Sequence, residues 1–400
     1  YQVLSVTNSN TLNWNKDFNK HHLNLLLGQE VYSYRTQYTY GYGEGIYQLG
    51  QFEIASASDY FQASSYSDRY ALMSWIGKAD YSFDDRYYGS VSYRRDGSSR
   101  FSPQNRWGNF WSVGGSWRLS KEKFLEDVDW IDNLSLRASY GTSGNDRLIS
   151  RQSNGKAGSE YLYAYQAVYG DDNVWNQAGL KPITNAAPDL HWEKNKQWNV
   201  ATDFSLFGWL NGTFEYYTRG SDGLLYFLDF PLSAQVGDVK GRNVNLGNIR
   251  NSGVELTLGF SIFNTKKFQW RIDANMSTLK NEVTYLPTKV GFWSNVVAYY
   301  KLEEGGSLYD FWAPRFAGID AETGYATYYK ADGSIVNSTS ALVREEDYVK
   351  VGSALPKAYG AVTNSFAFKN FDLSFMFYYS LGGKMYCYNK SELASIGSGK

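Results

Sequence analysis

Three histidines and one cysteine are the only side chains of this 400-residue sequence suited to a soft or borderline metal. His21 and His22 are neighbours. On a strand, neighbouring side chains point to opposite faces, so the two cannot chelate one ion. His191 and Cys387 stand apart from them, and no transition-metal site is expected. Asp320-Ala-Glu-Thr-Gly324 and Asp332-Gly333 supply the oxygen atoms of a calcium loop without its full spacing, and they read as ordinary acidic turns. No Gly-x-Ser-x-Gly elbow or phosphate loop occurs, and the remaining acids are scattered instead of paired. The sequence reads as a non-enzyme with no cofactor.

Aromatic rings are the other chemistry available. They make up 18% of the chain, with 35 tyrosines, 23 phenylalanines and 13 tryptophans. Tyr161, Tyr163, Tyr165 and Trp175 fall in one irregular stretch, and Trp293, Tyr299, Tyr300 and Trp312 in another. Such rings could stack on sugars or peptide side chains, pack against a partner lid, or fold their loops inward. The rest of the composition narrows the class. Lys and Arg total 39 against 40 Asp and Glu, which leaves no electrostatic footprint for nucleic acid. One cysteine excludes a disulfide framework. Seven prolines and so many aromatics argue against disorder. No apolar run is long enough for a transmembrane helix, yet the negative mean hydropathy is compatible with a membrane β-barrel, whose strands alternate.

The elements that position these residues follow from a period of two. In 371–381 the odd positions are Phe371, Leu373, Phe375, Phe377, Tyr379 and Leu381, while Asp372, Ser374 and Ser380 fall between them. A strand sends the two sets to opposite faces. The same alternation marks Ala71 to Phe83, Trp198 to Leu206, Val254 to Ile262 and Phe268 to Met276. Twelve strands are expected, over 1–14, 21–35, 69–83, 87–97, 107–118, 133–142, 191–207, 211–228, 246–262, 268–284, 359–368 and 371–385. Short connections such as Asp84-Asp85-Arg86 and Lys369-Asn370 alternate with long ones over 36–68, 143–190, 229–245 and 285–357. Short turns at one end and long loops at the other are the outer-membrane barrel layout, with the long loops outside. A soluble propeller or sandwich would alternate too, but its strands and loops are shorter. On the barrel reading Trp75, Tyr81, Phe83, Trp198, Trp270 and Phe375 face lipid or form interfacial girdles.

One stretch is more specific. It reads Tyr93-Arg-Arg-Asp-Gly-Ser-Ser-Arg-Phe101, followed by Asn105-Arg-Trp-Gly108, Trp117-Arg-Leu-Ser-Lys-Glu-Lys-Phe124 and Asp132-Asn-Leu-Ser-Leu-Arg-Ala-Ser-Tyr-Gly141. Gly247-Asn-Ile-Arg-Asn-Ser-Gly-Val-Glu-Leu256, Gly318-Ile-Asp-Ala-Glu-Thr-Gly324 and Lys369-Asn-Phe-Asp-Leu373 come later in the same order. With these motifs the sequence resembles the SusC/RagA family of TonB-dependent outer-membrane transporters. From the residues alone, Asp96-Gly-Ser-Ser-Arg100 is expected as a turn in which Asp96 accepts backbone hydrogen bonds and Gly97 takes positive φ. Glu255 is expected on the polar side of its strand, where it would pair with a plug arginine or be solvated.

The resemblance implies an all-β, antiparallel transmembrane β-barrel of about 22 strands, of which this chain would supply about 12, without the plug. It implies import of oligosaccharides, or less often peptides, across the bacterial outer membrane. It also implies a SusD-like surface lipoprotein as lid, a TonB–ExbB–ExbD complex acting through the plug, and a dimer of transporter–lipoprotein pairs. A siderophore- or vitamin-type importer without a lid, a passive porin and an adhesive barrel are the rival readings. The barrel reading makes the first test simple: the full protein should migrate heat-modifiably on gels and show a β-dominated spectrum in detergent. A monomeric preparation that stays soluble without detergent would contradict it.

Overall fold

The alternation is realised as pairing. The computed structural model describes residues 1–46, 53–54, 57–148, 162–174, 177–235, 239, 241–286, 292–294 and 299–394. Twelve strands form one meander: β1 (Gln2–Phe18), β2 (His21–Ile46), β3 (Ala57–Phe83), β4 (Tyr87–Ser98), β5 (Trp107–Arg118) and β6 (Ile131–Asn145), then β7 (Glu193–Leu206), β8 (Leu210–Asp222), β9 (Asn248–Asn264), β10 (Phe268–Thr278), β11 (Ala358–Phe368) and β12 (Phe371–Leu381). Each pairs antiparallel with the next in sequence, and a short strand, Lys280–Tyr285, adds to the start of β9.

Register carries each face from strand to strand. One row reads Trp14, Leu25, Ala79, Val91, Val113, Tyr140 and Trp198 across β1 to β7. A neighbouring row reads Asn24, Asp80, Ser90, Gly114, Ser139 and Asn199 across β2 to β7. Because the side-chain period is two, a slip of one residue anywhere would exchange the rows. The apolar face is open to its surroundings: Val91 is 56% exposed and Leu27 63%. Trp75, Tyr81, Phe83, Trp198, Trp270 and Phe375 all lie on this face.

Aromatic rings gather at two levels of that face. Near the short turns Phe18, His21, Phe83, Tyr87 and Trp117 form a chain of ring contacts at 4.8–6.4 Å. The level resumes with Trp130, Phe207 and Trp209, and again with Phe263, Trp270, Phe366 and Phe375. Toward the long connections, Trp111 meets Tyr140 and Trp198 meets Tyr216, each pair at 5.2 Å. Trp111 and Trp117 are six residues apart on β5, about 20 Å along the strand. At the roughly 35–45° tilt of outer-membrane barrel strands this is about 15 Å of height, which fits within their roughly 25 Å apolar band.

Short connections close tightly on left-handed residues. Asn19, Asp84, Asp85, Phe207 and Lys369 have positive φ, as does Gly208. The Asp84 carboxylate pairs with Lys20 of the neighbouring turn at 2.8 Å. The stretch after β5 makes a single 3-10 turn, Leu119–Lys121. Glu122 then accepts from Tyr87 at 2.6 Å and Trp117 at 3.0 Å; these bonds hold its carboxyl below the ordinary range.

The long connections differ from the expected loops. Much of 36–68 is strand, because β2 and β3 stay paired out to Ile46 and Ala57. Tyr38, Tyr40 and Tyr42 alternate there with Thr39, Gly41 and Gly43, a pattern that favours extension. The stretch 143–190 contains the hairpin Val168–Val174 with Gln177–Thr184. The end of the wall strand expected over 211–228 falls instead in a separate strand, Leu225–Asp229, which pairs with Gly241–Asn245. Within 285–357 a small sheet is built on Asp310–Ile319, which pairs with Tyr299–Lys301, Ala326–Tyr329 and Tyr348–Ser353. Among the described residues no helix is long and apolar enough to cross a membrane, which says nothing of strands.

The two faces should respond oppositely to charge. With the apolar face against lipid, Val91→Lys is expected to destabilise the full-length protein by about 2–4 kcal/mol. Ser92→Lys, one residue on and on the other face, should cost much less. Denaturant unfolding in lipid vesicles measures both.

Candidate functional site

Side chains on the polar face form cross-strand networks instead of isolated charges. Arg137 on β6 donates to Asp203 on β7 at 3.0 Å and to Glu215 on β8 at 2.8 Å. Asn199 also donates to Glu215, at 2.7 Å, and Thr213 to Asp203 at 2.7 Å. Glu255 stands directly across from Glu215 in register, on the polar face as expected. Nearer the long connections, Arg94 donates to Asp96 at 2.7 Å and to Ser74 at 2.9 Å, with Glu30 at 3.6 Å.

This second network borders a cavity of about 430 Å³, lined by Ser92, Arg94, Ser112, Thr142, Ser143 and Asp146 over a floor of Phe110 and Trp192. The Phe110 and Trp192 rings meet edge to face at 5.4 Å and are themselves buried. The combination of hydroxyls, one guanidinium, carboxylates and an aromatic floor suits a polar ligand with some apolar surface. A larger trough of about 680 Å³ opens nearer the short turns, among Asp17, His22, Asp80, Ser116, Arg137 and Asn199. His22 bonds to Asp17 at 2.8 Å, whereas His21 faces the other way and bonds to Tyr81 at 2.7 Å. The histidine pair is split between faces as its adjacency predicts.

The segment 96–101 lies behind the smaller cavity and departs from the expected turn. Gly97 is inside β4 without positive φ, and a Cβ there would come within 2.8 Å of the Trp107 ring. Asp96 accepts from the Arg94 side chain and not from the backbone. Past the strand, Arg100 and Phe101 are buried. The Arg100 guanidinium lies over the Tyr70 ring at 4.5 Å and donates to the Asp146 carbonyl at 3.1 Å. The Asp146 carboxylate accepts from Tyr70 at 2.8 Å and Ser98 at 2.6 Å. Phe101 packs with Leu148, Ala164, Ala187, Leu190 and Trp192. The long connection 143–190 is therefore pinned to the wall by a buried polar cluster and an apolar one.

The aromatics singled out in the sequence take varied places. Tyr163 accepts from the Arg69 amide at 2.9 Å, fastening its connection to β3. Tyr165 accepts from Gln166 at 2.8 Å. Tyr299 carries Arg344 over its ring at 4.6 Å and meets Tyr348 at 5.6 Å. Tyr300 packs on Phe311 at 5.1 Å, and Lys301 sits over Trp312 at 4.3 Å. Trp293 lies in a strand paired to Tyr300, and its side chain, with all of Tyr161 and Trp175, lies outside the described residues. The acidic turns are turns: Asp320 accepts from the amides of Glu322 and Thr323, and Asp332 from Ser334. Among the described residues no His, Cys, Asp and Glu converge in a group able to hold a metal. Arg94, Phe110, Asp146 and Trp192 were not singled out by type or spacing.

A wall of this length, twelve strands in sequential register with folded long connections, is shared by known proteins. The family model described as "TonB dependent receptor-like, beta-barrel" matches residues 1–384. The chain belongs to the TonB-dependent receptor family. TonB-dependent receptor P3 of Formosa agariphila is 28% identical over 426 residues, covering 99% of this chain and 41% of that protein. TonB-dependent receptor SusC of Bacteroides thetaiotaomicron is 30% identical over 231 residues, covering 56% of this chain and 22% of SusC. Among solved structures, the RagAB peptide importer in its closed-closed state superposes with a TM-score of 0.81 at 26% identity, over 95% of this chain and 41% of that one. The SusC/RagA resemblance read from the motifs is thus matched by relatives of those names. This TonB-dependent receptor chain spans about two fifths of the length of P3.

Two outcomes follow for the long-connection end. Asp146→Ala removes the acceptor of Tyr70 and Ser98 beside Arg100, and should open 146–190 to limited proteolysis while leaving the β spectrum unchanged. At the end of the short helix Arg344–Asp347, beside the small sheet, the buried Asp347 carboxylate accepts from the amides of Ala331 and Val343, each at 2.7 Å. These bonds hold its pKa below the ordinary carboxylate value. Its stabilisation is therefore complete above the unfolded-state pKa and lost as pH falls through the lower folded value. The hydrogen-exchange protection factors of the two amides should fall on that acid limb, and Asp347→Asn should flatten the response.

Proposed function

We propose that this chain is part of the barrel of an energy-coupled importer in the bacterial outer membrane, and that its cargo is an oligosaccharide or a peptide. The observation that carries the reading is the division of the wall. One face is apolar and belted with aromatics, suited to lipid, and the other is lined by hydrogen-bonded charges and hydroxyls, suited to a lumen. Cargo enters at the long-connection end and contacts the pocket between Arg94 and Trp192. The chain does not act as an enzyme.

The RagAB structures, described as those of a peptide importer, support a peptide as one form of cargo. The Arg94–Asp96 and Arg137–Asp203–Glu215 networks suit its alternating donors, acceptors and charges. The SusC/RagA resemblance of the motifs is the ground for a sugar as the other form of cargo. On the same analogy, a surface lipoprotein closes over the long connections, the TonB–ExbB–ExbD complex drives release through the plug, and two transporter–lipoprotein pairs assemble as a dimer. Exposed Phe316, Ile319, Tyr325 and Ile335 on the small sheet are suited to such a lid.

The test is a mild-detergent pull-down of the full transporter from outer membrane, followed by uptake assays with labelled glycan and peptide mixtures. The expected result is co-purification of a surface lipoprotein and uptake abolished by loss of TonB. Arg94→Ala should lower uptake about tenfold with unchanged barrel yield. No lipoprotein partner, or uptake that persists without TonB, would contradict the proposal.

A further inference from the structure

Arg94 and Arg95 are adjacent on β4 and so point to opposite faces. Arg94 joins the polar network. Arg95 lies on the apolar face, opposite Trp75 in register, and is exposed. Its guanidinium sits 5.1 Å from the Trp107 ring centroid, and among the described residues it makes no ion pair. The row it occupies, Asn10, Gln29, Trp75, Arg95 and Asn109, is otherwise polar or interfacial, and the next row toward the short turns is Leu12, Leu27, Gly77, Tyr93 and Trp111. Arg95 therefore marks the edge of the apolar band at the end that carries the long connections.

Directly below it the apolar face is grooved. On β3, Gly77 and Ala79 lie between Leu25 and Leu27 of β2 and Val91 and Tyr93 of β4. Two cavities of about 560 and 390 Å³ share Leu12, Leu27, Gly77 and Tyr93, so they form one continuous valley from Trp75 toward Trp14. The walls on β2 and β4 are two strand spacings apart, about 9–10 Å, which is wide enough for one hydrocarbon chain. The two features are independent and collinear: an apolar valley within the band, and at its mouth a guanidinium that makes no ion pair among the described residues.

We propose that this valley holds an acyl chain of a phosphorylated, multi-acyl glycolipid of the lipid A class, with a phosphate on Arg95. Guanidinium favours phosphate through its planar, multiple donors. The glycolipid is preferred to a glycerophospholipid because Arg95 lies at the long-connection end, in the leaflet that faces outside. The inference rests on the reading that this face meets lipid, and it adds selective occupancy of one groove.

The test uses the full-length transporter in nanodiscs, titrated with lipid A and examined by native mass spectrometry. Arg95→Gln removes the charge. Gly77→Leu fills the valley; the nearest atom to a Cβ at Gly77 is 3.8 Å away, so the backbone should tolerate it. Each variant is expected to weaken retention of one lipid A by about tenfold, with Phe366→Leu, outside the valley, unchanged. Equal retention by wild type and both variants would overturn the proposal, as would equal retention of phosphatidylglycerol and lipid A by the wild type. Brominated phospholipid, compared between wild type and Trp75→Phe, separates the two levels. Quenching of Trp75 without selective retention overturns only the groove site, whereas absence of quenching overturns the lipid-facing reading as well.

Discussion

The structure depends on backbone pairing whose register shifts only near strand ends, at Gly43/Glu44, Ile131/Asn133 and Ser261/Phe263. A strand that meets hydrocarbon has no water to satisfy its amides and carbonyls, so each must bond to a neighbouring strand. Pairing from β1 to β12 meets this condition along the meander, and it fixes a second property at once. Because opposed residues share a face, the row from Trp14 to Trp198 stays apolar and the row from Asn24 to Asn199 stays polar over half the wall. Segregation of the polar face from the apolar one is a consequence of register, not of any one residue.

The polar face then solves a separate problem. Charges on adjacent strands are held 4–6 Å apart by the pleat, and unpaired ones would repel or invite slippage. Arg137 between Asp203 and Glu215, and Arg94 between Asp96, Ser74 and Glu30, tie three or more strands together while leaving a hydrophilic surface. Toward the long-connection end the same logic becomes local and buried, with Arg100, Tyr70, Ser98 and Asp146 anchoring a long connection. An importer of the proposed kind needs both behaviours: a wall that tolerates water within, and loops stiff enough to shape an entrance.

Most of the wall was legible in the sequence because period two is a direct image of register. The number of strands, their order and the facing of Trp75, Tyr81, Phe83, Trp198, Trp270 and Phe375 all follow from it. The long connections were less legible. Tyr38 to Gly43 alternates and was extendable on that ground, yet its strand continues past the apolar band, where burial no longer marks a limit. Leu225–Asp229 shares the composition of a wall strand and pairs elsewhere, since propensity does not name a partner. The segment 96–101 was recognised by its motif, but its turn begins only at Ser99, and the buried roles of Arg100 and Phe101 were not legible because they depend on Asp146 and Trp192, 46 and 91 residues away in sequence. The pocket between Arg94 and Trp192 was illegible for the same reason. Only the opposite facing of Arg94 and Arg95 could have been deduced from adjacency.

The central claim is that one face of this wall meets lipid and the other water. Spin labels placed singly at positions 87 to 94 of β4, in a full-length transporter carrying Cys387→Ser and reconstituted in lipid, test it directly. Collisions with oxygen, which partitions into hydrocarbon, should peak at 87, 89, 91 and 93. Collisions with a water-soluble nickel chelate should peak at 88, 90, 92 and 94. Equal access of the chelate to both sets would contradict the account.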